Sequence, residues 1–346
     1  MARRHASRGA FALLAAASLV AVGVFAFKGG ATQKGTDKLL PHEEGPALPV
    51  AKIASSDNAP TLLRSGGGNS PTTAPSTPTT HPAKPAVATS FDAEQVFRQA
   101  AAKRDNGDLV TARNLISEAL ATGKLDASDT DAAKTFIGQL NEKIILGTQK
   151  FPADAYNKTW KVEPGHVLQK IAKRFDVTSG LLCKINGLSS PNKLRADSTI
   201  KTIQGPFHLV VSKSRFEADV YLGNPGGPGS MFVKTFRVGL GSDDSTPTGT
   251  WQVVADKLEN PVYYSPRGEG VIAADDPKNP LGERWIPLKG VEGDCVGKES
   301  YGIHGTIDPD SIGKNMSMGC IRLANEDIVA LYDLLIEEKS LVKVVD

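Results

Sequence analysis

Past Gly205 the chain changes its hydrophobic period. From "FHLVVSKSRFEADVYLG" (residues 207–223) apolar residues alternate with others, the pattern that sorts side chains onto the two faces of a strand. "MFVKTFRVGLG" continues as a third strand. "GTWQVVADK", "RWIPL" and "YGIHGT" follow as shorter ones, separated by Pro- and Gly-rich loops. Only "NEDIVALYDLLIEE" breaks the alternation, placing Ile328, Leu331, Leu334 and Leu335 on one helical face with Asn325 at its start, before "LVKVV" closes the module. Residues 206–346 are therefore expected to form a mainly β domain with a C-terminal helix. Non-local strand pairing leaves long loops in which a site can be built.

Upstream the pattern is helical. Asp92 with Gln95 has capping-box spacing, and Val96, Phe97, Ala100 and Ala101 follow at helix intervals. "DNGD" ends that helix, Leu109, Ala112, Leu115, Ile116, Ala119 and Leu120 form a second stripe, and Ser128 with Asp131 marks the start of a third helix. Residues 91–150 read as a short α-helical region, either a spacer or a docking surface for a protein partner. Residues 159–203 predict a strand, two short helices and a closing strand, a small α+β unit. Residues 28–90, with "SGGGNSPTTAPSTPTTHPAKPAV", hold too few large apolar residues to build a core and read as an extended linker. Residues 10–27 are uncharged and apolar, just long enough at ~1.5 Å per residue to cross a ~30 Å hydrocarbon core. Arg3, Arg4 and Arg8 make residues 1–9 a basic segment that stays in the cytoplasm. A membrane anchor or signal segment of this polarity puts the rest of the chain outside the cytoplasm, in the cell envelope. A net charge of +2 gives no case for nucleic acid.

Three cysteines are too few for a disulfide framework. Cys183 sits among Leu182 and Ile185 and reads as a buried, inert thiol, and Cys295 in "VEGDCVGKES" reads as a loop thiol near the site. Cys320 is different: it follows Gly319 in "HGTIDPDSIGKNMSMGCIRLAN", which begins with His304. A glycine there lets the chain turn sharply, so that backbone N–H groups near the thiol can face outward and hold an oxyanion. A thiol attacks at neutral pH only with a lowered pKa or a neighbouring base, and His304 is the candidate. The alternative, a small buried cysteine near an unrelated histidine, stands beside it. No second Cys or His pair at ligand spacing supports a zinc site.

Two resemblances sharpen this reading. "TWKVEPGHVLQKIAKRFDVTSGLLCKINGLSSPNKLRADSTIKTI" resembles the LysM domain, which implies binding to N-acetylglucosamine-containing glycan strands. His166 stands where that family usually has an acidic residue. "AEQVFRQAAAKRDNGDLVTARNLISEAL" resembles one helix pair of a tetratricopeptide repeat. "TPTGTW", "NPLGERWI", "IHGT" and "SMGCIRLANEDIVALY", in that order, resemble the catalytic domain of L,D-transpeptidases, a YkuD-like β-sandwich. That resemblance implies Cys320 as nucleophile, His304 as base and the carbonyl of Gly305 as the group orienting the imidazole. It places Ser317, Gly319 and Arg322 in the substrate-binding signature. Met318 stands where the family often has histidine, and is expected only to shape the pocket wall. The implied reaction is attack on a peptidoglycan stem peptide, release of D-alanine, a thioester, and a cross-link on aminolysis. It needs no metal or organic cofactor. Hydrolysis to an L,D-carboxypeptidase product, attachment of a protein to the wall, and a catalytically silent peptidoglycan-binding scaffold are the alternatives.

Overall fold

The computed structural model describes residues 92–265, 268 and 270–346. The expectations for residues 1–9, 10–27 and 28–90 lie outside them. Among the described residues no helix is long and apolar enough to cross a membrane.

Three helices come first: α1 (Ala93–Asp105), α2 (Leu109–Ala121) and α3 (Ala127–Ile144). The Asp92 carboxylate accepts from the Gln95 amide at 3.0 Å, capping α1. The third helix starts earlier than Ser128: its cap is Asp126, which accepts from the Asp129 amide at 2.8 Å. The spacing argument missed it because two acidic residues three apart, Asp126 and Asp129, give the same signal.

A β-α-α-β unit follows: β1 (Asn157–Lys161), α4 (Leu168–Arg174), α5 (Ser179–Lys184) and β2 (Thr199–Ile203), with β1 antiparallel to β2. Leu168, Ile171, Leu181, Leu182 and Ile185 are buried, as their helical spacing required.

The C-terminal region is mainly β with one helix. Its strands are β3 (Phe207–Ser212), β4 (Glu217–Leu222), β5 (Met231–Arg237), β6 (Leu240–Gly241), β7 (Gly249–Val253), β8 (Leu258–Glu259), β9 (Tyr263–Tyr264), β10 (Val271–Ile272), β11 (Arg284–Glu292), β12 (Tyr301–His304), β13 (Asn315–Ser317), β14 (Ile321–Arg322) and β15 (Leu341–Val345). Helix α6 (Asn325–Leu334) lies before β15. One nine-stranded sheet runs β14-β12-β11-β7-β15-β3-β4-β5, with β8 added on β11. The last strand, β15, sits in the middle, parallel to β3 and antiparallel to β7. Trp251 of β7 is almost fully buried beneath it.

These segments are not beads on a string. One contiguous core joins the β-α-α-β unit to the sheet, running from Leu168 and Ile185 to Phe207, Leu209 and Val344. The apolar face of the helical region packs on the sheet edge, where Phe232 of β5 completes a cluster with Ala100, Ile116, Ala133 and Ile137. The Asn141 amide donates to the carbonyls of Phe232 and Val233 at 3.0 and 3.3 Å, satisfying acceptors that an edge strand would leave open. The face read as spacer or docking surface is thus occupied from within the molecule. Lys201 of β2 is fully buried, and its ammonium donates to the carbonyls of Ile144, Gly147 and Gln149 at 2.7, 2.8 and 3.0 Å, at the last residue of α3 and just past it. Burial lowers its pKa to about 8.

Candidate active site

The geometry of the site begins with a register. β12 and β14 are parallel, with Ile303 opposite Ile321 and His304 opposite Arg322. Side chains alternate along a strand, so His304 and Arg322 share one face, and Cys320, two residues before Arg322, joins them. The fifteen-residue gap in sequence closes because the intervening loop returns the chain to a neighbouring strand.

His304 is buried, with 5% of its surface exposed. Its Nδ1 lies 2.6 Å from the carbonyl oxygen of Gly305. A carbonyl only accepts, so Nδ1 carries the proton and Nε2 keeps its lone pair. Burial pulls the imidazole pKa down to about 4, the Gly305 hydrogen bond works the other way, and the positive charge of Arg322 adds to the lowering. Burial likewise pushes the Cys320 thiol up, while the backbone of Gly302 and the charge of Arg322 pull it down. At neutral pH the site rests as a neutral thiol beside a neutral imidazole.

The loop that presents the thiol is held from both sides. Gly319 has φ +122°, and a Cβ there would come within 2.7 Å of the Tyr301 ring and 2.8 Å of the Ser245 carbonyl. Ser317 donates its hydroxyl to the Cys320 carbonyl at 2.6 Å and accepts from the Gly319 amide at 3.0 Å. Its hydroxyl therefore braces the loop rather than facing a ligand. The Gly319 amide is occupied too, and the N–H of Cys320, which has no acceptor among the described residues, is the donor left near the thiol. Thr246 donates to the Gly319 carbonyl at 2.9 Å and accepts from the Gly241 amide at 2.8 Å.

A cavity of about 460 Å³ opens over the pair. One wall comes from the β8–β10 region and the turn before β11, through Leu258, Val262, Tyr263, Pro280 and Leu281. Met318 stands at its rim, 59% exposed. Among the described residues that line it, Arg322 is the one cationic side chain and none is acidic. Its Nε is buried without a hydrogen-bond partner, and it forms no ion pair with a described residue. That leaves a positive group facing a largely apolar cavity.

The structure brings together Cys320, His304, Gly305, Ser317, Met318, Gly319 and Arg322, and adds residues that the sequence did not single out. Trp285, opposite His304 on β11, stacks on the imidazole at 5.8 Å and 27°. Its ring also lies over Gly302, where a Cβ would come within 2.5 Å of it. Asn325, expected at a helix start, accepts from the Thr306 amide at 3.1 Å and lies against Gly305, so it holds the turn that carries the orienting carbonyl. Thr246 and Trp285 lie within the motifs "TPTGTW" and "NPLGERWI", but their roles depend on partners brought in by other segments, Gly319 for Thr246 and His304 and Gly302 of the neighbouring strand for Trp285, and carry no local signal.

Cys295 is a correction. It is fully buried, packed away from the cavity with its Sγ 3.2 Å from the Thr250 carbonyl and 3.0 Å from that of Glu292. The polar loop around it misled because a short 3-10 turn, Gly293–Cys295, folds the sulfur inward. Cys183 is only half-buried, with its pKa raised chiefly by desolvation. Among the described residues no group of three or more His, Cys, Asp or Glu is placed to hold a metal.

Comparison with known proteins adds the following. The family profile of the YkuD L,D-transpeptidase catalytic domain matches residues 206–344, and that of the LysM domain matches residues 161–202. The putative L,D-transpeptidase YqjB of Bacillus subtilis is 37% identical over 136 residues, which cover 38% of this chain and 68% of that protein. The putative L,D-transpeptidase YkuD of the same organism is 27% identical over 183 residues, 51% of this chain and 93% of that protein. Among solved structures, an L,D-transpeptidase from Mycobacterium smegmatis aligns with a TM-score of 0.30 at 18% identity, covering 43% of this chain and 64% of that one.

Proposed function

The chain belongs to the L,D-transpeptidase family, and from that premise we propose that it joins peptidoglycan stem peptides through a thioester on Cys320. The observation that carries the reading is the shared strand face of Cys320 and a buried histidine whose Nδ1 is fixed by the Gly305 carbonyl, leaving Nε2 as the free base.

The steps follow from those atoms. His304 Nε2 takes the thiol proton as Sγ attacks the carbonyl of the stem's third residue, diaminopimelate. The N–H of Cys320 donates to the oxyanion. Collapse breaks the C–N bond, and the imidazolium returns its proton to the departing D-alanine amine, leaving the acyl group on sulfur. An amine from a second stem then attacks the thioester, gives its proton to His304, and releases Cys320 as thiol. Arg322 holds a substrate carboxylate. Pairing it with that anion offsets the positive charge that helps hold the His304 pKa down, so the base strengthens when substrate is bound. Met318 shapes the rim.

The apolar wall supports an amine acceptor over water, and so aminolysis of the thioester over L,D-carboxypeptidase activity; attachment of a protein is aminolysis too and stays as the alternative acceptor. The LysM region binds the glycan, and the basic and apolar residues 1–27 serve as anchor or export segment, with the reaction outside the cytoplasm. The test is incubation with tetrapeptide-bearing muropeptides and mass analysis. Dimers lacking one D-alanine are expected, and Cys320→Ser should give none. Shortened monomers alone would assign the carboxypeptidase instead. Unchanged substrate would leave a binding scaffold.

A further inference from the structure

β8 is two residues long, and its neighbourhood divides two cavities. Leu258 lines the cavity over Cys320, while its neighbours Lys257 and Glu259 line a second, larger one of about 980 Å³. This follows from strand alternation: Leu258 pairs with Trp285 toward the thiol, and Glu259 pairs with Arg284 on the opposite face. The far wall of the second cavity is built from α4 and α5 and from the Ser189–Pro191 segment. Its two sides are fixed to each other. The Thr178 hydroxyl donates to the Asp333 carbonyl of α6, and Lys339 pairs with Asp176. Gly180 meets Asp333 so closely that a Cβ there would collide with the carboxylate.

Among the described residues, the lining of this cleft holds four lysines and four carboxylates, which balance in formal charge. Between the charges stand hydroxyl and amide groups: Gln169, Ser179, Ser189 and Ser190. Balanced donors and acceptors without a dominant sign suit an uncharged, hydroxyl-rich ligand, and give a polyanion or polycation no preferred place.

We infer that this cleft holds the glycan strand of the same molecule whose stem peptide enters the catalytic cavity, the stem passing around β8 from one to the other. The inference rests on the function proposed above and assigns it a second binding site. Three extended residues, from the sugar to the attacked carbonyl, reach about 10 Å, and the two cavities meet at consecutive residues of the chain, Lys257, Leu258 and Glu259, so the stem has only the two-residue β8 to pass. A glycan held there makes delivery of the stem intramolecular.

The test uses the full chain and two substrates, a glycan-linked tetrapeptide and the free tetrapeptide. The glycan-linked form should show a roughly tenfold lower KM. Ser189→Trp, at an exposed position where the larger ring fills the cleft, should bring the two KM values together. Equal KM values in the unaltered protein, or a preference that survives Ser189→Trp, would overturn the inference. A second readout does not depend on turnover. Cys183 lines the cleft, so in Cys320→Ala protein its alkylation by iodoacetamide should slow several-fold in the presence of stem-free glycan strands. Alkylation unchanged by glycan at saturating concentration would overturn the inference by itself. Protection of Cys183 without turnover of either substrate would instead reject the reaction assigned to Cys320.

Discussion

A base with a pKa near 4 facing a thiol above its usual value is a weak pair at rest, and this sets how His304 must behave. It is unprotonated throughout the neutral range, so the reaction does not wait for its ionisation. General-base assistance is worth roughly 10²–10⁴-fold, so His304→Ala should slow acylation of Cys320 by at least ~10². Met318→Ala should cost far less, because a thioether takes up no proton. Stopped-flow acylation rates on the two variants decide this, and equal losses would move the base role away from His304. Stability carries the same signature. His304 titrates near 6.5 in the unfolded chain and near 4 in the folded one, so between those values the unfolded state binds the extra proton. Stability should therefore fall as pH drops from about 6.5 to 4, by up to roughly 3 kcal/mol from this residue. Urea unfolding at pH 7 and 4.5 should show that extra loss in the native sequence and not in His304→Gln. At this scale Cys320 and His304 were legible because a glycine before a cysteine is a local signal. Gly302 and Trp285 were not, since each acts through a residue on a neighbouring strand.

The elements that build the site are the ones that periodicity reads least well. Alternation needs four or more residues to register: it found β3, β4, β5 and β15, and β7, β11 and β12 as shorter runs. β6, β8 and β14 have two residues each, yet they hold the Gly241 amide, divide the two cavities and carry Arg322. What the sequence did show was Gly319, and the structure explains why no other residue fits. Its positive φ strains any L side chain, and Tyr301 and Ser245 close the space a Cβ would need. Gly319→Ala should cost roughly 1–3 kcal/mol of stability. It should also slow acylation well beyond the loss in stability, because the same turn aims Cys320. Thermal unfolding and acylation kinetics on one preparation separate the two effects. A variant that is destabilised but acylates normally would show that the turn is structural only.

At the scale of the whole molecule, the order of helical region, LysM unit and β domain was readable, but their fusion was not. A linker-like arrangement would let the LysM unit melt alone. The buried Lys201 argues otherwise, because its single ammonium gathers the Ile144, Gly147 and Gln149 carbonyls onto β2, and the core continues unbroken from Ile185 to Leu209. Replacing it with methionine keeps the volume and leaves the Gly147 and Gln149 carbonyls without their donor, while the Ile144 carbonyl keeps the Asn157 side-chain amide at 3.2 Å. Each buried acceptor so orphaned costs about 1–3 kcal/mol before relaxation and water entry reduce the sum. Lys201→Met should therefore lose roughly 2–4 kcal/mol, or about 5–15 °C in melting temperature for a body of this size. Scanning calorimetry tests the fusion directly. If the segments are one cooperative body, the folded part of the chain gives one peak whose calorimetric and van't Hoff enthalpies agree, and Lys201→Met moves that whole peak. If the LysM unit were an independent module, the variant would split off a small early transition and leave the main one, which holds Cys320 and His304, at its original temperature.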